Sequence, residues 1–273
     1  MKRIVVKLGT NILRSGDGNV SLPRIFSFIE DVSRLVKEGK EVIIVTSGAV
    51  GLGQAALGCK IRTDASAKDT GVKQACAAIG QGKLMSIYEN GFEAYGLTCA
   101  QVLLTEEDLV VCERYENVCT TITKLLEFGV VPVINQNDTV SVKELMQIYE
   151  NKPNSFSDND KLSALVAKGL DADLLLILSD VDGLYEENPK LNPNAKKIEV
   201  VEAVTDEVCA LGTDASEGGR GGMRTKLEAA RIVTEAGVEM IVASGKEPFV
   251  IKRLFAGEKL GTRFLTNNMS PRA

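Results

Sequence analysis

The stretch Arg3-Ile4-Val5-Val6-Lys7-Leu8-Gly9-Thr10-Asn11 decides the fold, because it has the pattern of a buried strand that ends in a lysine and a glycine. Apolar, β-branched runs of this kind recur along the 273-residue chain. We predict strands at residues 3–8, 41–46, 98–104, 130–134, 173–178 and 238–243. Several of them are apolar at nearly every position, which is typical of strands covered on both faces in a parallel sheet.

Amphipathic helices are predicted between these strands. Residues 22–38 place apolar side chains at three- and four-residue intervals, and Gly39 is positioned to end that helix. Further helices are predicted at 69–90, 115–128 (ended by Gly129), 159–168 and 223–236 (ended by Gly237). An irregular arm at 139–157 and a polar excursion at 183–197 interrupt the pattern. The alternation predicts an α/β fold, an open sandwich with a mainly parallel central sheet and helices on both faces.

Composition and charge narrow the classes of function. The chain carries 37 acidic and 32 basic residues, a net charge of −5, which argues against a general nucleic-acid or anionic-membrane surface. Its six cysteines are scattered without metal-ligand spacing, as expected for reduced thiols. No run of 18 apolar residues and no signal-peptide pattern occurs, so we expect a cytoplasmic protein.

The sequence contains no histidine. This excludes Ser-His-Asp hydrolases, Cys-His proteases, histidine-liganded zinc sites and histidine general bases. The chemistry that remains depends on carboxylates, lysines, backbone amides or a metal bound to phosphate. Transfer of a group to a carboxylate fits well, because this nucleophile is already an anion and needs no base.

Two glycine-containing segments directly follow predicted strands. Lys7 and Gly9 end the first strand, where a buried lysine would need an anionic partner and a glycine would let phosphate oxygens approach the backbone. Ser47 and Gly48 lie in VTSGAVGLG (45–53), whose glycines could form a nest of amides around an anion. Each segment also fits a structural role, as a surface lysine before a turn or as an ordinary glycine-rich turn.

A third candidate is the run SEGGRGGMRTK (216–226), which leads into a predicted helix. Four glycines beside a helix N-terminus, with Lys226 one turn inside, fit a phosphate cradle. The run is not a Walker A loop, because the GxxxxGK[ST] spacing occurs neither here nor at Gly82-Lys83. A flexible loop before a solvated basic helix start explains the same residues equally well.

Amide and carboxylate side chains follow further strands. NQND (135–138) comes after the strand at 130–134, and DNDK (158–161) enters a predicted helix. These groups could bind an α-ammonium group or hold catalytic lysines, although Asp and Asn are also ordinary helix caps. Ser179 and Asp180 could line a nucleotide pocket or simply turn the chain. Five such sites on one edge of one sheet favour an anion-binding active site over five coincidences.

Together these motifs resemble the amino-acid kinase family nearly end to end, and most of all its members that phosphorylate free glutamate. The matching segments, in family order and spacing, are VVKLGTN (5–11), VTSGAVGLG (45–53), KQACAAIGQ (73–81), VPVINQNDTV (131–140), SDNDKLSALVA (157–167), SDVDGLY (179–185) and GGMRTKLEAA (221–230). The resemblance implies ATP-dependent phosphorylation of the side-chain carboxylate of L-glutamate to L-glutamyl 5-phosphate, the first step of proline biosynthesis. Kinases of aspartate or N-acetylglutamate, and a non-catalytic amino-acid sensor, stay open as alternatives.

The resemblance also implies roles for residues at matching positions. Lys7 and Lys226 would contact the transferring phosphoryl group, with Asp160 orienting both lysines. The implied substrate-binding residues are Ser47, Gly48, Asn135, Asp138 and Asn159. The implied ATP-binding residues are Lys7, Gly9, Ser179, Asp180, Arg220, Gly221, Gly222, Met223, Arg224, Thr225 and Lys226. Mg²⁺ would be carried by the nucleotide phosphates, with no metal site on the protein.

An organisation follows from the same resemblance. Residues 1–268 would form a single kinase domain, with an acceptor-binding N-terminal part, an ATP-binding part from about residue 170 and a tail at 269–273, without the C-terminal PUA domain that many bacterial members carry. A homodimer or homotetramer and feedback inhibition by proline at the 139–157 arm are implied, with no nucleic-acid or membrane partner. Two positions depart from the family: Arg220 replaces a small hydroxyl residue, and Ser157 replaces glycine.

Overall fold

The computed structural model describes residues 1–13, 20–58, 67–105, 107–140, 159–189, 191–212 and 222–266. Its strands are β1 (Arg3–Leu8), β2 (Glu41–Val45), β3 (Cys99–Leu104), β4 (Val131–Gln136), β5 (Leu174–Ser179), β6 (Leu184–Tyr185), β7 (Lys197–Ile198), β8 (Val200–Val201), β9 (Glu239–Ser244) and β10 (Thr262–Phe264). Its helices are α1 (Leu22–Lys37), α2 (Ala49–Leu57), α3 (Ala67–Glu93), α4 (Glu107–Val110), α5 (Cys112–Glu127), α6 (Asn159–Gly169), α7 (Asp206–Ala210), α8 (Met223–Glu235) and α9 (Val250–Phe255).

The described strands form one eight-stranded sheet in the order β3-β4-β2-β1-β5-β9-β10-β8. The six strands from β3 to β9 run parallel to one another, whereas β10 is antiparallel to β9 and parallel to β8. These six are the strands predicted from the sequence, and the predicted fold class is confirmed. The polar excursion at 183–197 is closed by a separate antiparallel ribbon of β6 and β7.

Strand β1 shows how helices cover both faces of the sheet. Ile4, Val6 and Leu8 pack into the core layer that contains α1, α3 and α9, whereas Val5 packs into the layer that contains α6 and α8. Side chains alternate between the faces of a strand, so Lys7 lies on the face of Val5. The pattern of β1 therefore directs the Lys7 ammonium group toward α6 and α8.

The glycine-rich segment after β2 differs from its predicted form. The segment at 45–53 continues as helix α2, which begins at Ala49 and was not predicted. A Cβ on Gly53 would lie 1.9 Å from the Cys76 carbonyl oxygen, and a Cβ on Gly80 would lie 1.7 Å from the Ala49 carbonyl oxygen. These two glycines therefore allow the backbones of α2 and α3 to touch, a packing role that no larger residue could take.

The predicted helix stops are confirmed. Gly39, Gly129 and Gly237 have positive φ and directly follow the ends of α1, α5 and α8. Within the described part of the chain, we find no helix with the length and apolar character needed to cross a bilayer.

Candidate active site

Two lysines and one aspartate form a buried charge cluster at the carboxyl end of the parallel sheet. Lys7 Nζ lies 2.5 Å from Asp160 Oδ1, and Lys226 Nζ lies 3.1 Å from Asp160 Oδ2. The exposed fractions are 6% for Lys7, 3% for Lys226 and 0% for Asp160. This juxtaposition joins three residues that lie far apart in the sequence.

Each member of the cluster is held by a different element. Lys7 projects from β1, which is flanked on both sides by β2 and β5 and is therefore fixed at the centre of the sheet. Asp160 lies in the first turn of α6, where the helix dipole favours a carboxylate. Lys226 lies in the first turn of α8, where the dipole disfavours a cation, so the nearby carboxylate offsets that cost.

A hydroxyl group completes the inner surroundings of Asp160. Thr225 Oγ1 lies 2.9 Å from Asp160 Oδ2 and 2.9 Å from the Gly222 carbonyl oxygen, so its single hydrogen can be donated to either. Burial alone would raise the pKa of Asp160, but the two lysine ammonium groups outweigh it and hold that pKa below its ordinary value. Asp160 is therefore ionised at neutral pH.

The charges of the cluster do not cancel. Counted over Lys7, Asp160 and Lys226 alone, two ammonium groups face one carboxylate, an excess of one positive charge, and among the described residues the carboxylate of Asp180 is a further acidic neighbour of Lys226. A buried excess charge is costly unless a counter-ion is close. The cluster is therefore suited to an anion that approaches from the sheet edge, and a phosphoryl group has the charge and oxygen donors to fill that place.

Beside the cluster, polar side chains from four elements form a hydrogen-bonded group. Asn159 Nδ2 lies 2.8 Å from both the Thr46 carbonyl oxygen and Ser47 Oγ, and 3.4 Å from Asn135 Oδ1. Asn135 in turn donates to Gln81 Oε1 at 2.9 Å. Asn159 directly precedes Asp160 in the chain, so the group that it joins can orient a second ligand toward the charge cluster.

Helix α3 supplies a further ion pair near the end of β4. Lys73 Nζ lies 3.6 Å from Asp138 Oδ1, and both side chains are about one-fifth exposed, at 21% and 20%. Asp138 lies in the turn after β4, three residues beyond Asn135. The pair therefore borders the group formed by Ser47, Asn135 and Asn159.

The ends of β5 and β9 carry a second polar group on the other side of Lys7. Asn11 Nδ2 donates to Asp180 Oδ2 at 3.0 Å, and Ser179 Oγ donates to Asp180 Oδ1 at 3.2 Å. Burial alone would raise the pKa of Asp180, but these hydrogen bonds and the charge of Lys226 lower it below its ordinary value. Lys246 reaches the carbonyl oxygen of Asp180 at 3.5 Å.

Gly9 leaves space beside Lys7, but its own amide is not available to bind a ligand. Its N–H donates to the Leu178 carbonyl oxygen at 3.1 Å, so that donor is already engaged. A Cβ at Gly9 would lie 3.2 Å from the same oxygen and 3.9 Å from Lys7 Nζ. Glycine at this position therefore keeps the approach to the Lys7 ammonium group open.

Most of the predicted site residues meet at this one edge. The structure brings together Lys7, Gly9, Ser47, Asn135, Asn159, Asp160, Ser179, Asp180, Thr225 and Lys226 there, and Gly48 and Asp138 adjoin them. Gly222 and Met223 begin α8, and Arg224 is largely exposed and paired with Glu228 at 3.0 Å. Arg220, Gly221 and Ser157 lie outside the described residues, as does most of the 139–157 arm.

Several contacting residues were not predicted as site residues. Gln81 and Lys73 lie eight positions apart on α3, and Thr46, Asn11 and Lys246 touch predicted residues from other elements. Positions separated by four, seven or eight residues share one face of a helix. The segment KQACAAIGQ (73–81) thus contained a signal for a polar face toward the site, but only the fold shows which strand ends this face meets.

Comparison with known proteins gives consistent results. Residues 2–244 match the profile of the amino acid kinase family. The glutamate 5-kinase of Caldanaerobacter subterraneus subsp. tengcongensis is 45% identical over 264 residues, which cover 96% of this chain and 68% of that protein. The glutamate 5-kinase of Acaryochloris marina is 47% identical over 266 residues, with the same coverage.

Solved structures share the fold at much lower identity. The carbamate kinase from Giardia lamblia bound to AMP-PNP has a TM-score of 0.66 and 18% identity, covering 97% of this chain and 99% of its own. The UMP kinase from Bacillus anthracis has a TM-score of 0.62 and 18% identity, covering 97% of this chain and 96% of its own. At this identity the likeness shows a common fold alone.

Proposed function

The chain belongs to the amino acid kinase family, and within it to the glutamate 5-kinases, and we propose that it transfers the γ-phosphoryl group of ATP to the side-chain carboxylate of L-glutamate. The observation that carries this proposal is the buried Lys7–Asp160–Lys226 cluster with its excess positive charge. A kinase needs such charge where negative charge is transferred, and the acceptor carboxylate supplies its own nucleophile.

In this reaction Lys7 and Lys226 contact the transferring phosphoryl group. One oxygen of the acceptor carboxylate forms a bond to the γ-phosphorus while the bond between that phosphorus and the bridging oxygen of ADP breaks, and ADP leaves with the electron pair. No proton moves in this step, in keeping with a chain that has no histidine. Asp160 holds the two ammonium groups apart and in place through its two carboxylate oxygens.

The acceptor is proposed to lie against Ser47, Gly48, Asn135, Asp138 and Asn159. Asn159 is fixed by the Thr46 carbonyl oxygen and Ser47, so that it can orient a carboxylate beside Asp160. Asp138 is suited to the α-ammonium group of a free amino acid. This carboxylate disfavours an acetylated amine, which supports glutamate over N-acetylglutamate as the acceptor.

ATP is proposed to bind where Gly9, Ser179 and Asp180 meet the start of α8. The N-terminus of α8 and the cluster lysines fit phosphate oxygens, and the proposed nucleotide contacts extend over Arg220 to Lys226. Mg²⁺ is proposed to arrive on the phosphate oxygens, where it would neutralise part of their charge. In this arrangement residues before about 170 bind the acceptor and later residues of the 1–268 domain bind ATP, with 269–273 as a tail.

The setting is proposed from the same family assignment. We place the reaction in the cytoplasm, and the free state of Cys76, Cys99, Cys112, Cys119 and Cys209 supports a reducing compartment. We also propose that the protein forms a homodimer or homotetramer and that proline competes with glutamate at the acceptor site.

The proposal is tested by ADP release from Mg·ATP with glutamate, aspartate, N-acetylglutamate or UMP as acceptor. Hydroxylamine is included to convert any acyl phosphate into a hydroxamate. We expect glutamate-dependent hydroxamate, little product from the other three acceptors and less product when proline is added. A preference for another acceptor would overturn the substrate, and inactivity with all four would favour an amino-acid sensor.

A control separates the chemistry from a contaminating kinase. Lys7→Met removes one cluster ammonium group, and Lys168→Met removes an exposed lysine from α6. Hydroxamate formation should fall with the first variant and persist with the second. Equal activity in both preparations would show that the signal does not come from this site.

A further inference from the structure

The pair Lys73–Asp138 presents two opposite charges at a spacing that suits an amino acid. The two charged atoms are 3.6 Å apart, longer than the usual 2.7–2.9 Å of a charge-assisted hydrogen bond. Each side chain is about one-fifth exposed, so the pair is accessible to a small ligand and still shielded from bulk water. A long ion pair of this kind gains little by itself.

The position of Lys73 is set by the same helix face that supports the acceptor group. Gln81 on α3 is buried and accepts a hydrogen bond from Asn135, and Lys73 lies eight residues earlier on that face. Eight residues correspond to about 12 Å along a helix. Helix α3 therefore follows the polar residues from Asn135 to Asp138, with its uncharged contact at one end and its charged contact at the other.

The proposed acceptor has a matching pair of charges. In an α-amino acid the ammonium nitrogen and the carboxylate carbon are joined through one atom and lie about 2.5 Å apart. An ammonium group beside Asp138 thus places the α-carboxylate within reach of a cation that itself contacts Asp138. Lys73 has three N–H donors, and the contact with Asp138 engages at most one of them.

We propose that Lys73 binds the α-carboxylate of the acceptor, so that Lys73 and Asp138 together recognise a free amino acid through both of its backbone charges. This inference rests on the proposed function and adds a specificity-determining residue to it. The Lys73–Asp138 pair has no net charge, and neither has the zwitterionic backbone of an amino acid, so each backbone charge can meet an opposite charge of the pair. The side-chain carboxylate of the acceptor is then left to face the positively charged cluster. Acceptors without an α-carboxylate are therefore selected against at this end of the site.

A purely structural Lys73 would behave differently. If it only holds Asp138 in place, its loss weakens every acceptor that uses Asp138, whatever group replaces the α-carboxylate. If it binds the α-carboxylate, its loss weakens only acceptors that carry this charge. The two roles are separated by comparing L-glutamate with L-isoglutamine, which keeps the α-ammonium group and the side-chain carboxylate but has an α-carboxamide.

The experiment measures kcat and KM of the wild type, Lys73→Met and Lys73→Arg for both acceptors by hydroxamate formation. Where L-isoglutamine gives no product, its inhibition constant against glutamate is measured instead. Lys83→Met, which removes an exposed lysine of the same helix, is the matched control. We expect Lys73→Met to raise the glutamate KM at least about tenfold with kcat changed less than about threefold. Its effect on L-isoglutamine should be below about threefold.

The outcomes are distinct. A wild type that binds both acceptors equally, a Lys73→Met variant that still prefers glutamate, or an equal loss for both acceptors would overturn the inference. Partial recovery of glutamate affinity in Lys73→Arg, with Lys83→Met unchanged, would support it. A wild type that does not phosphorylate glutamate would instead overturn the proposed function, and the two failures are thereby separated.

Discussion

Two ionic sites on the same edge of the sheet differ in charge, distance and burial. The Lys7–Asp160–Lys226 cluster is almost fully buried, has contacts of 2.5 and 3.1 Å and carries one excess positive charge. The Lys73–Asp138 pair is about one-fifth exposed, has a contact of 3.6 Å and carries no net charge. Both use lysine and aspartate, so residue type alone does not distinguish them.

The difference in net charge between the two sites indicates which kind of ligand each one suits. The Lys7–Asp160–Lys226 cluster has one more positive than negative charge, which suits a phosphoryl group in transfer. The Lys73–Asp138 pair has balanced charges, but its long contact leaves hydrogen-bond donors and acceptors for a ligand that carries both charges itself. The Lys7–Asp160–Lys226 cluster is therefore suited to stabilising a transferred charge, whereas the Lys73–Asp138 pair is suited to selecting a substrate.

Asp160→Asn tests the buried cluster most directly. It leaves two buried ammonium groups without their carboxylate, and we expect about 3–5 kcal/mol less unfolding free energy as well as loss of turnover. Because ATP phosphates would replace the missing charge, Mg·ATP should recover more of the melting temperature in the variant than in the wild type. Urea unfolding and thermal melting with and without Mg·ATP measure both effects.

The next largest effect is expected from Lys7→Met and Lys226→Met. Each removes one of the two proposed donors to the transferring phosphoryl group, so kcat should fall at least about 100-fold while the circular dichroism spectrum stays that of the folded protein. Removing either lysine also makes the cluster neutral, and stability should change less than in Asp160→Asn. Near-normal turnover in one of these variants would remove that lysine from the mechanism.

The role of the Lys73–Asp138 pair can be tested by exchanging its two charges. The double variant with Lys73→Asp and Asp138→Lys retains an ion pair but reverses its direction. We expect its glutamate KM to stay at least about tenfold above that of the wild type, because each charge of the substrate then meets a like charge. Restored affinity in the exchanged pair would instead indicate that the pair is only structural.

The smallest effect is expected at Asp31, a buried carboxylate on α1 that accepts the Lys252 backbone N–H at 3.2 Å. Burial raises the pKa of Asp31, whereas the lysines lower the pKa of Asp160. Asp31→Asn keeps the acceptor oxygen and should change stability by less than about 1 kcal/mol. It is also the matched control for Asp160→Asn.

The opposite pKa shifts give opposite pH dependences. The folded state holds the proton of Asp31 more tightly than the unfolded state, so its contribution to stability declines as pH rises above the ordinary value of 3.8. The contribution of Asp160 is present above that value and is lost as pH falls below it. Urea unfolding of Asp31→Asn at pH 4 and pH 7 should therefore favour the variant at the higher pH. The reverse trend would contradict the burial effect.

The fold was predictable where a segment alone carried the signal. The six long parallel strands and the helices at 22–38, 115–128, 159–168 and 223–236 agree with the structure within about three residues. Strands β6, β7, β8 and β10 have two or three residues each and were missed, because pairing partners rather than periodicity create them. Helix α2 was missed because its glycines indicate a loop by propensity, although Gly53 allows close packing on α3.

The sequence indicated which residues lie at the edge of the sheet better than it indicated which side chains contact one another there. Placing Lys7, Asn135 and Ser179 at the carboxyl ends of parallel strands was enough to bring them to one edge. The contacts of Gln81 and Lys73 depend on how α3 is turned against β4, which follows from the packing of Gly80 on Ala49. No local pattern encodes that rotation.

The central position of β1 has a consequence for how the protein is made. Lys7 leaves the ribosome well before its sheet neighbour β5 and its counter-charge Asp160, which are more than 150 residues downstream. At typical synthesis rates of about 5–20 residues per second, the nascent chain carries this lysine for on the order of ten seconds before the partner exists. The charge cluster therefore forms only after this delay, and its formation shows that β1 has met segments of the chain made much later.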